Sequence, residues 1–327
     1  MESLLTHIFL YIASAVAIAI AGVFLVRSGE SLATKWGLDH AWLGSVLIAA
    51  ATSFPELATS IRVASLGSYD MLISNICGSI CFNIFLLSLV CFIFYKKIVV
   101  DFDRSVTKAS FLIAGMLSLV ILSPYFPVKK TFLSLGFETW LILGLYFFYM
   151  FLSFKKNKNE CEQKREEISK KYFYKDILIY LFCVLVIFIA SHYCVKAAEV
   201  FVSIAGLGNN FVGLVFLALA TSLPEGVTVF EAVRLKSMKL VWGIILGSNI
   251  FNMCVISLSD FFVSDKSFIK NLSLQNQFIS ILTLLYVLLV PYVFSKCSKK
   301  YSFDLKKSSL LVIVGYFLIL LFSFNFS

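Results

Sequence analysis

The stretch Ala51-Thr52-Ser53-Phe54-Pro55-Glu56 returns as Ala220-Thr221-Ser222-Leu223-Pro224-Glu225, an offset of 169 positions (221 − 52 = 169), each time inside a long apolar run. A carboxylate at bilayer depth costs at least ~2.5 kcal/mol on the mildest scale, so it is seldom placed there without a purpose. Proline has no N–H and clashes with the carbonyl four residues back, so Pro55 frees the oxygen of Ala51 and Pro224 that of Ala220. Glu56 follows Thr52 by four residues, on the same helix face. Two such half-sites facing each other would make a cage of hard oxygens, which suits Ca²⁺ or Na⁺.

The surroundings make this a polytopic all-α membrane protein. The 327 residues are 60% hydrophobic and 14% charged, and no soluble domain hides so much apolar surface. Ten apolar segments can be drawn, at about 6–26, 41–61, 72–95, 107–123, 132–154, 177–195, 209–233, 239–262, 276–294 and 309–326. With the N-terminus outside, the alternate connections that fall inside hold 22 of the 28 lysines and arginines, and those outside hold five; Lys196 sits near an outer helix end. That asymmetry predicts both termini outside. It also accounts for the net charge of +9 without nucleic acid as a partner. Only Glu2 and His7 precede the first run, so no cleaved signal peptide is expected and the run is the first helix. Cys77 and Cys81 are four apart, the spacing of a thiolate pair, yet no CxxC exists and the cysteines read as small packing residues between helices.

The same offset relates Val26-Arg27-Ser28-Gly29-Glu30-Ser31 to Val195-Lys196-Ala197-Ala198-Glu199-Val200, Gly44 to Gly213, Gly78-Ser79 to Gly247-Ser248, and Phe82-Asn83 to Phe251-Asn252. One unchanged offset across so many motifs implies a tandem duplication of five helices per copy. An odd number inverts the second copy in the membrane, the arrangement of secondary transporters with sites at the midplane on broken helices. The expected halves are 1–154 and 176–327, joined by a charged, solvated linker at 155–175. Ser79 and Asn83 face one direction, and their recurrence as Ser248 and Asn252 favours an ion site over simple interhelical bonding. Glu30 and Glu199 each follow a basic residue by three positions and read as interfacial ion pairs. Glu231 and Asp260 read as interfacial too. His192 reads as a packed or lipid-edge side chain.

With these residues in view, the chain resembles the cation/calcium exchanger superfamily, and within it the sodium/calcium exchangers. Their alpha repeats carry Gly-Thr-Ser-x-Pro-Glu followed by Gly-Ser-Asn-x-x-Asn/Asp; the match covers about 37–95 and 206–262. The resemblance implies that Glu56 and Glu225 bind Ca²⁺ centrally, helped by the backbone carbonyls of Thr52 and Thr221. It implies that Ser53, Ser79, Ser222 and Ser248 supply Na⁺-site hydroxyls, with the carbonyls of Ala49 and Ala218 as weaker ligands. Asn83 and Asn252 match the polar pair beside the centre. Three departures stand out: Ala51 and Ala220 replace the usual glycine, Ile80 replaces the expected asparagine, and Asn252 stands where some relatives have Asp.

The expected activity is Ca²⁺/Na⁺ antiport by alternating access at the plasma membrane of a short, prokaryote-like exchanger. The ions bind transiently, with no resident cofactor and no obligatory protein partner. A Ca²⁺/H⁺ antiporter using the same two glutamates is the nearest rival. An intramembrane metalloprotease would need H-E-x-x-H, whereas His7, His40 and His192 are far apart. A passive channel fits broken half-sites less well than alternating access does.

Overall fold

In a bilayer every backbone N–H and C=O must find its partner within the protein, so an apolar chain of this kind becomes a set of helices. The computed structural model describes residues 2–96, 104–125, 135–161, 170–205, 218–262, 272–295 and 302–325, and these are helical almost throughout. The helices are α1 (Glu2–Trp36), α2 (His40–Thr52), α3 (Phe54–Ser65), α4 (Tyr69–Phe94), α5 (Arg104–Leu122), α6 (Phe137–Cys161), α7 (Lys170–Ala205), α8 (Ala218–Thr221), α9 (Leu223–Arg234), α10 (Met238–Asp260), α11 (Leu274–Phe294) and α12 (Ser302–Asn325). Among the described residues, eight helices are long and apolar enough to cross a membrane, or nine when α2 and α3 count as one bent span. The predicted first half of the seventh span, 209–217, lies outside the described residues.

The packing is polar within and apolar without. α4 and α10 form the centre, and every residue of α10 from Leu240 to Ser257 is buried. α2, α3, α8 and α9 pack around this pair. α1 and α7 lie against each other over most of their length, and α5, α6, α11 and α12 complete the outside. The outer face of α1 carries exposed Leu5, Phe9, Ile12, Val16, Ile20 and Phe24, a stripe at helical spacing that only lipid can satisfy. Buried Thr, Ser, Asn and Glu residues gather instead on the inner elements.

α1 and α7 are antiparallel, because Asp176 at the start of α7 accepts hydrogen bonds from Ser31 and Lys35 at the end of α1. The other end of the pair brings Tyr11 beside Cys194. Both helices outrun the predicted spans. At 1.5 Å per residue a 35-residue helix is about 52 Å long, well beyond the ~30 Å hydrocarbon layer. The polar turn after Val26 stays helical because its side chains are met: Arg27 Nε donates to Glu231 Oε1 at 2.7 Å, and Ser28 Oγ bonds back to Phe24 O at 2.8 Å. Helix also enters the expected linker from both sides, α6 reaching Cys161 and α7 starting at Lys170.

α2 does not run as a regular helix. Leu43–Ile48 form a π-helical turn, with Ala49 N–H donating to Gly44 O. There α2 presses on α10 backbone to backbone. A Cβ at Gly44 would meet Leu240 O at 2.7 Å, and one at Gly243 would meet Ala41 O at 2.5 Å. Glycine is required at this crossing because nothing larger leaves room.

Candidate cation site

Both Pro-Glu motifs break their helices at the preceding serine. Ser53 sits at φ −92°, ψ 8° between α2 and α3, which bend by 43°. Ser222 sits at φ −91°, ψ 11° between α8 and α9. The proline occupies the first turn of the following helix, where its missing N–H costs nothing. Glu56 and Glu225 therefore stand in the first turns of α3 and α9, where the helix dipole favours negative charge.

The two carboxylates are fully buried and close enough to repel each other. Each is held by a serine from the other motif. Ser53 Oγ donates to Glu225 Oε1 at 2.7 Å, and Ser222 Oγ donates to Glu56 Oε1 at 3.0 Å. Ser248 Oγ reaches Glu225 Oε1 at 3.4 Å. Thr52 and Thr221 also lie beside these carboxylates, Thr52 at Glu225 and Thr221 at Glu56. Their hydroxyls bond back to the preceding turn, Thr52 to Ile48 O at 3.1 Å and Thr221 to Ala218 O at 3.2 Å.

The remaining oxygens come from the central helices. Ser79 and Asn83 on α4 and Ser248 and Asn252 on α10 are all fully buried. All ten side chains singled out in the sequence are thus enclosed, and the serines tie the two Pro-Glu motifs directly to each other. Several polar atoms here have no hydrogen-bond partner among the described residues: Glu56 Oε2, Glu225 Oε2, Ser79 Oγ, Asn83 Oδ1 and both amide atoms of Asn252. A buried polar atom left unmet costs about 1–3 kcal/mol, so each of these calls for a partner beyond the described side chains, a part that a bound cation would fill.

The charge points the same way. Among the described residues the ion pairs lie elsewhere, at Arg27–Glu231, Lys35–Asp176 and Arg234–Glu231. No cluster of three or more His, Cys, Asp or Glu side chains is present among them either. Two carboxylates amid hydroxyl and amide oxygens form a hard-oxygen donor set, which fits Ca²⁺ or Na⁺ and not a thiophilic metal. Cys77 and Cys81 turn away to α11, with Sγ 3.7 Å from Ser280 Oγ and 3.5 Å from Thr283 Oγ1. They pack between helices, as expected.

Two asparagines belong with the set although the sequence reading passed over them. Asn249 Oδ1 accepts from Asn83 Nδ2 at 2.9 Å and so joins the central helices. Asn75 is buried on α4, one turn before Ser79, with neither amide atom partnered among the described residues. The offset of 169 pairs them with Ile80 and Ile244, so a search by repetition discards both. Spacing would have found Asn75, which precedes Ser79 and Asn83 at intervals of four on one face.

One expected pairing needs correction. Arg27 reaches across to Glu231 on α9 and does not form the local pair with Glu30 that its spacing suggested. Glu231 and Asp260, in the last turns of α9 and α10, are buried against neighbouring helices, and Asp260 accepts from Thr139 Oγ1 at 2.6 Å.

Residues 6–155 and 175–325 match the family model described as sodium/calcium exchanger protein. The chain is 23% identical over 267 residues to sodium/calcium exchanger MaX1 of Methanosarcina acetivorans, covering 71% of this chain and 76% of that protein. It is 21% identical over 281 residues to an uncharacterized membrane protein of Methanocaldococcus jannaschii, covering 84% of this chain and 85% of that one. Its fold is that of the sodium-calcium exchanger NCX_Mj. The TM-score is 0.72 to that protein soaked with 100 mM Na⁺ and 10 mM Sr²⁺, at 18% identity over 96% of this chain and 97% of that one. Against the form soaked with zero Na⁺ and Ca²⁺ it is 0.70, at 18% identity over 97% and 98%.

Proposed function

Because the chain belongs to the sodium/calcium exchanger protein family, a family of transporters and not of enzymes, we propose that it exchanges Ca²⁺ for Na⁺ across a membrane by alternating access. The observation that carries this reading is the reciprocal pair of hydrogen bonds, Ser53 to Glu225 and Ser222 to Glu56, around two buried carboxylates. In this reading Ca²⁺ sits between Glu56 and Glu225, with Thr52 and Thr221 offering backbone oxygen. Na⁺ ions use Ser53, Ser79, Ser222 and Ser248, and Asn83 and Asn252 line the centre with Asn249.

Two carboxylate charges balance one Ca²⁺. The same oxygens cannot satisfy Ca²⁺ and a full set of Na⁺ ions together, so each ion crosses only when the other returns. An empty, doubly negative cage resists passage through the low-dielectric state. A filled one is neutralised and passes. The antiparallel α1–α7 pair, joined at Asp176, is the body that slides past the fixed core. Two five-helix halves of opposite orientation, 1–154 and 176–327 joined through 155–175, account for the repeated break and the swapped serines. The excess of basic residues in alternate loops supports a plasma-membrane protein with both termini outside.

The test is ⁴⁵Ca²⁺ uptake into proteoliposomes driven by an outward Na⁺ gradient, with Glu56→Gln and Glu225→Gln as variants. Each is expected to lose at least ~100-fold of uptake, since one buried charge no longer offsets the ion. Full uptake by either variant would remove the proposed site. Uptake driven equally well by a pH gradient without Na⁺ would overturn Na⁺ as the counter-ion.

A further inference from the structure

In the exchange cycle proposed above, the π-turn of α2 lies between a wall that stays and one that slides. On the fixed side Gly44 meets the backbone of α10, where a Cβ would stand 2.7 Å from Leu240 O. On the sliding side stand both members of the outer pair. α1 lays Gly29 over the turn, where a Cβ would stand 3.4 Å from Leu43 Cδ1 and 3.8 Å from Ile48 Cδ1. That contact is apolar and has no preferred direction, so it can slide. α7 makes a different contact: the Tyr180 hydroxyl donates to the backbone oxygen of Leu47 at 2.9 Å. A carbonyl has two lone pairs, so Leu47 can take this bond without giving up one to its own helix.

The gripped turn is tied to the carboxylates by bonds already described. Thr52 Oγ1 donates to Ile48 O at 3.1 Å, the Ser53 N–H donates to Ala49 O at 3.0 Å, and Ser53 Oγ holds Glu225 at 2.7 Å. On the other side Asp176, one turn before Tyr180, accepts from Ser31 and Lys35 of α1, so the bond to Leu47 holds the pair and not α7 alone. A slide of half a turn, about 2.7 Å, stretches a bond lying across the axis from 2.9 Å to about 4.0 Å, out of hydrogen-bond reach. Arg27 also ties the pair, to Glu231 of α9, but through a long and half-exposed side chain that can follow such a slide. Tyr180 has a rigid ring and meets backbone, so it cannot. The offset of 169 places Tyr11 of α1 at the position equivalent to Tyr180 (180 − 169 = 11). Each member of the outer pair thus carries a tyrosine at one repeat position; the equivalent of Leu47, Phe216, lies outside the described residues.

We propose that Tyr180 is a positioning residue for exchange: its bond to Leu47 sets the register of the α1–α7 pair on the π-turn of α2, so the pair cannot slide without releasing the turn that carries Ala49, Thr52 and Ser53 to the carboxylates. This rests on the alternating-access reading, and it names the contact through which the sliding helices and the ion cage act on each other. Single π-turns inside α-helices are frequent at functional sites, and this one would be the element that yields.

The test reads conformation apart from transport. In the full chain in lipid vesicles, spin labels at Leu178→Cys on α7 and Ile93→Cys on α4, both exposed positions, report the distance between the pair and the core, measured against the chain without the two reporters. Tyr180→Phe keeps the ring and loses the donor. It is expected to move the ratio of the two distance populations about fivefold toward the slid form, the usual net worth of one hydrogen bond. Apparent Ca²⁺ affinities at the two faces, read in right-side-out and everted vesicles, should then move in opposite directions, because a shifted population takes from one face what it gives the other. A hydroxyl that only braced the site would weaken both. Tyr149→Phe is the control: Tyr149 of α6 stands beside Ser45 in the same turn but belongs to a helix that does not slide, so the populations should stay as they are. If Tyr180→Phe does not elute as a monodisperse peak, 3-fluorotyrosine at position 180 of the otherwise unaltered chain takes its place. Its ¹⁹F signal should follow the distance populations as Na⁺ and Ca²⁺ are exchanged, and a signal indifferent to them would overturn the proposal. Unchanged populations in Tyr180→Phe, affinities that do not move or that fall together, or an equal shift in Tyr149→Phe would overturn it as well. Populations that shift as expected in a protein showing no Na⁺-driven Ca²⁺ uptake would overturn the exchange reading and leave the register bond standing.

Discussion

Gly247→Ala tests whether the cage is held in place by bare backbone. Gly247 precedes Ser248 on α10, and its α-carbon faces the π-turn of α2. A methyl added there would stand 2.5 Å from Ser45 Cα and 2.8 Å from Ser45 C. Ordinary contact begins at 3.4 Å, so α2 and α10 must part by about 0.9 Å (3.4 − 2.5). Overpacking of this kind costs about 1–3 kcal/mol, and backbone on both sides leaves no flexible side chain to absorb it. The shift falls next to Ser248, whose bond to Glu225 is already long at 3.4 Å, so that bond is lost. Losing one donor to a buried carboxylate should weaken apparent Ca²⁺ affinity about tenfold, equal to ~1.4 kcal/mol. The assay pairs thermal unfolding in detergent with the Ca²⁺ dependence of uptake. The control is Gly115→Ala, in the interior of α5, where an added Cβ meets nothing within 4 Å. That variant should be neutral or gain up to ~1 kcal/mol from helix propensity. If Gly247→Ala matches Gly115→Ala in both assays, the close crossing does not position the site.

Ser53→Ala removes the 2.7 Å donor to Glu225, and Ser222→Ala the 3.0 Å donor to Glu56. Each should weaken apparent Na⁺ and Ca²⁺ affinities about tenfold or more, read from uptake at varied gradients. Cys81→Ala should lower thermal stability by about 1 kcal/mol through lost packing on Thr283 while leaving Ca²⁺ affinity within about twofold. A large affinity change there would put the thiol in the site after all. Asn249→Leu should weaken uptake although its repeat partner is already Ile80, because it strips Asn83 of its acceptor at 2.9 Å.

The residues that the structure gathers into the candidate site could be picked out in the sequence because charge inside an apolar run is rare and because the repeat showed it twice. Its geometry was not. Nothing in Leu43-Gly44-Ser45-Val46-Leu47-Ile48 announces a π-turn, since the extra residue per turn is imposed by the glycine crossing with α10. Apolarity marked the spans but not the helices, as α1 shows. Arg27, Ser31 and Lys35 end the apolar run, yet their partners Glu231 and Asp176 lie some 140 to 200 residues away, so helix continues where hydropathy stops. Repetition was a filter with a cost: it secured Ser248 and Asn252 through Ser79 and Asn83, and it hid Asn75 and Asn249, whose counterparts are isoleucines.

The swapped serines bear on how such a chain can arise and be divided. A polypeptide holding only the first motif would bury Glu56 with its own serine aimed at an acid that chain does not contain. Only a second molecule, docked head to tail against the first, could supply the missing donor. Severed between α6 and α7, the two fragments should accordingly be inert apart and recover uptake only when made together in the same membrane.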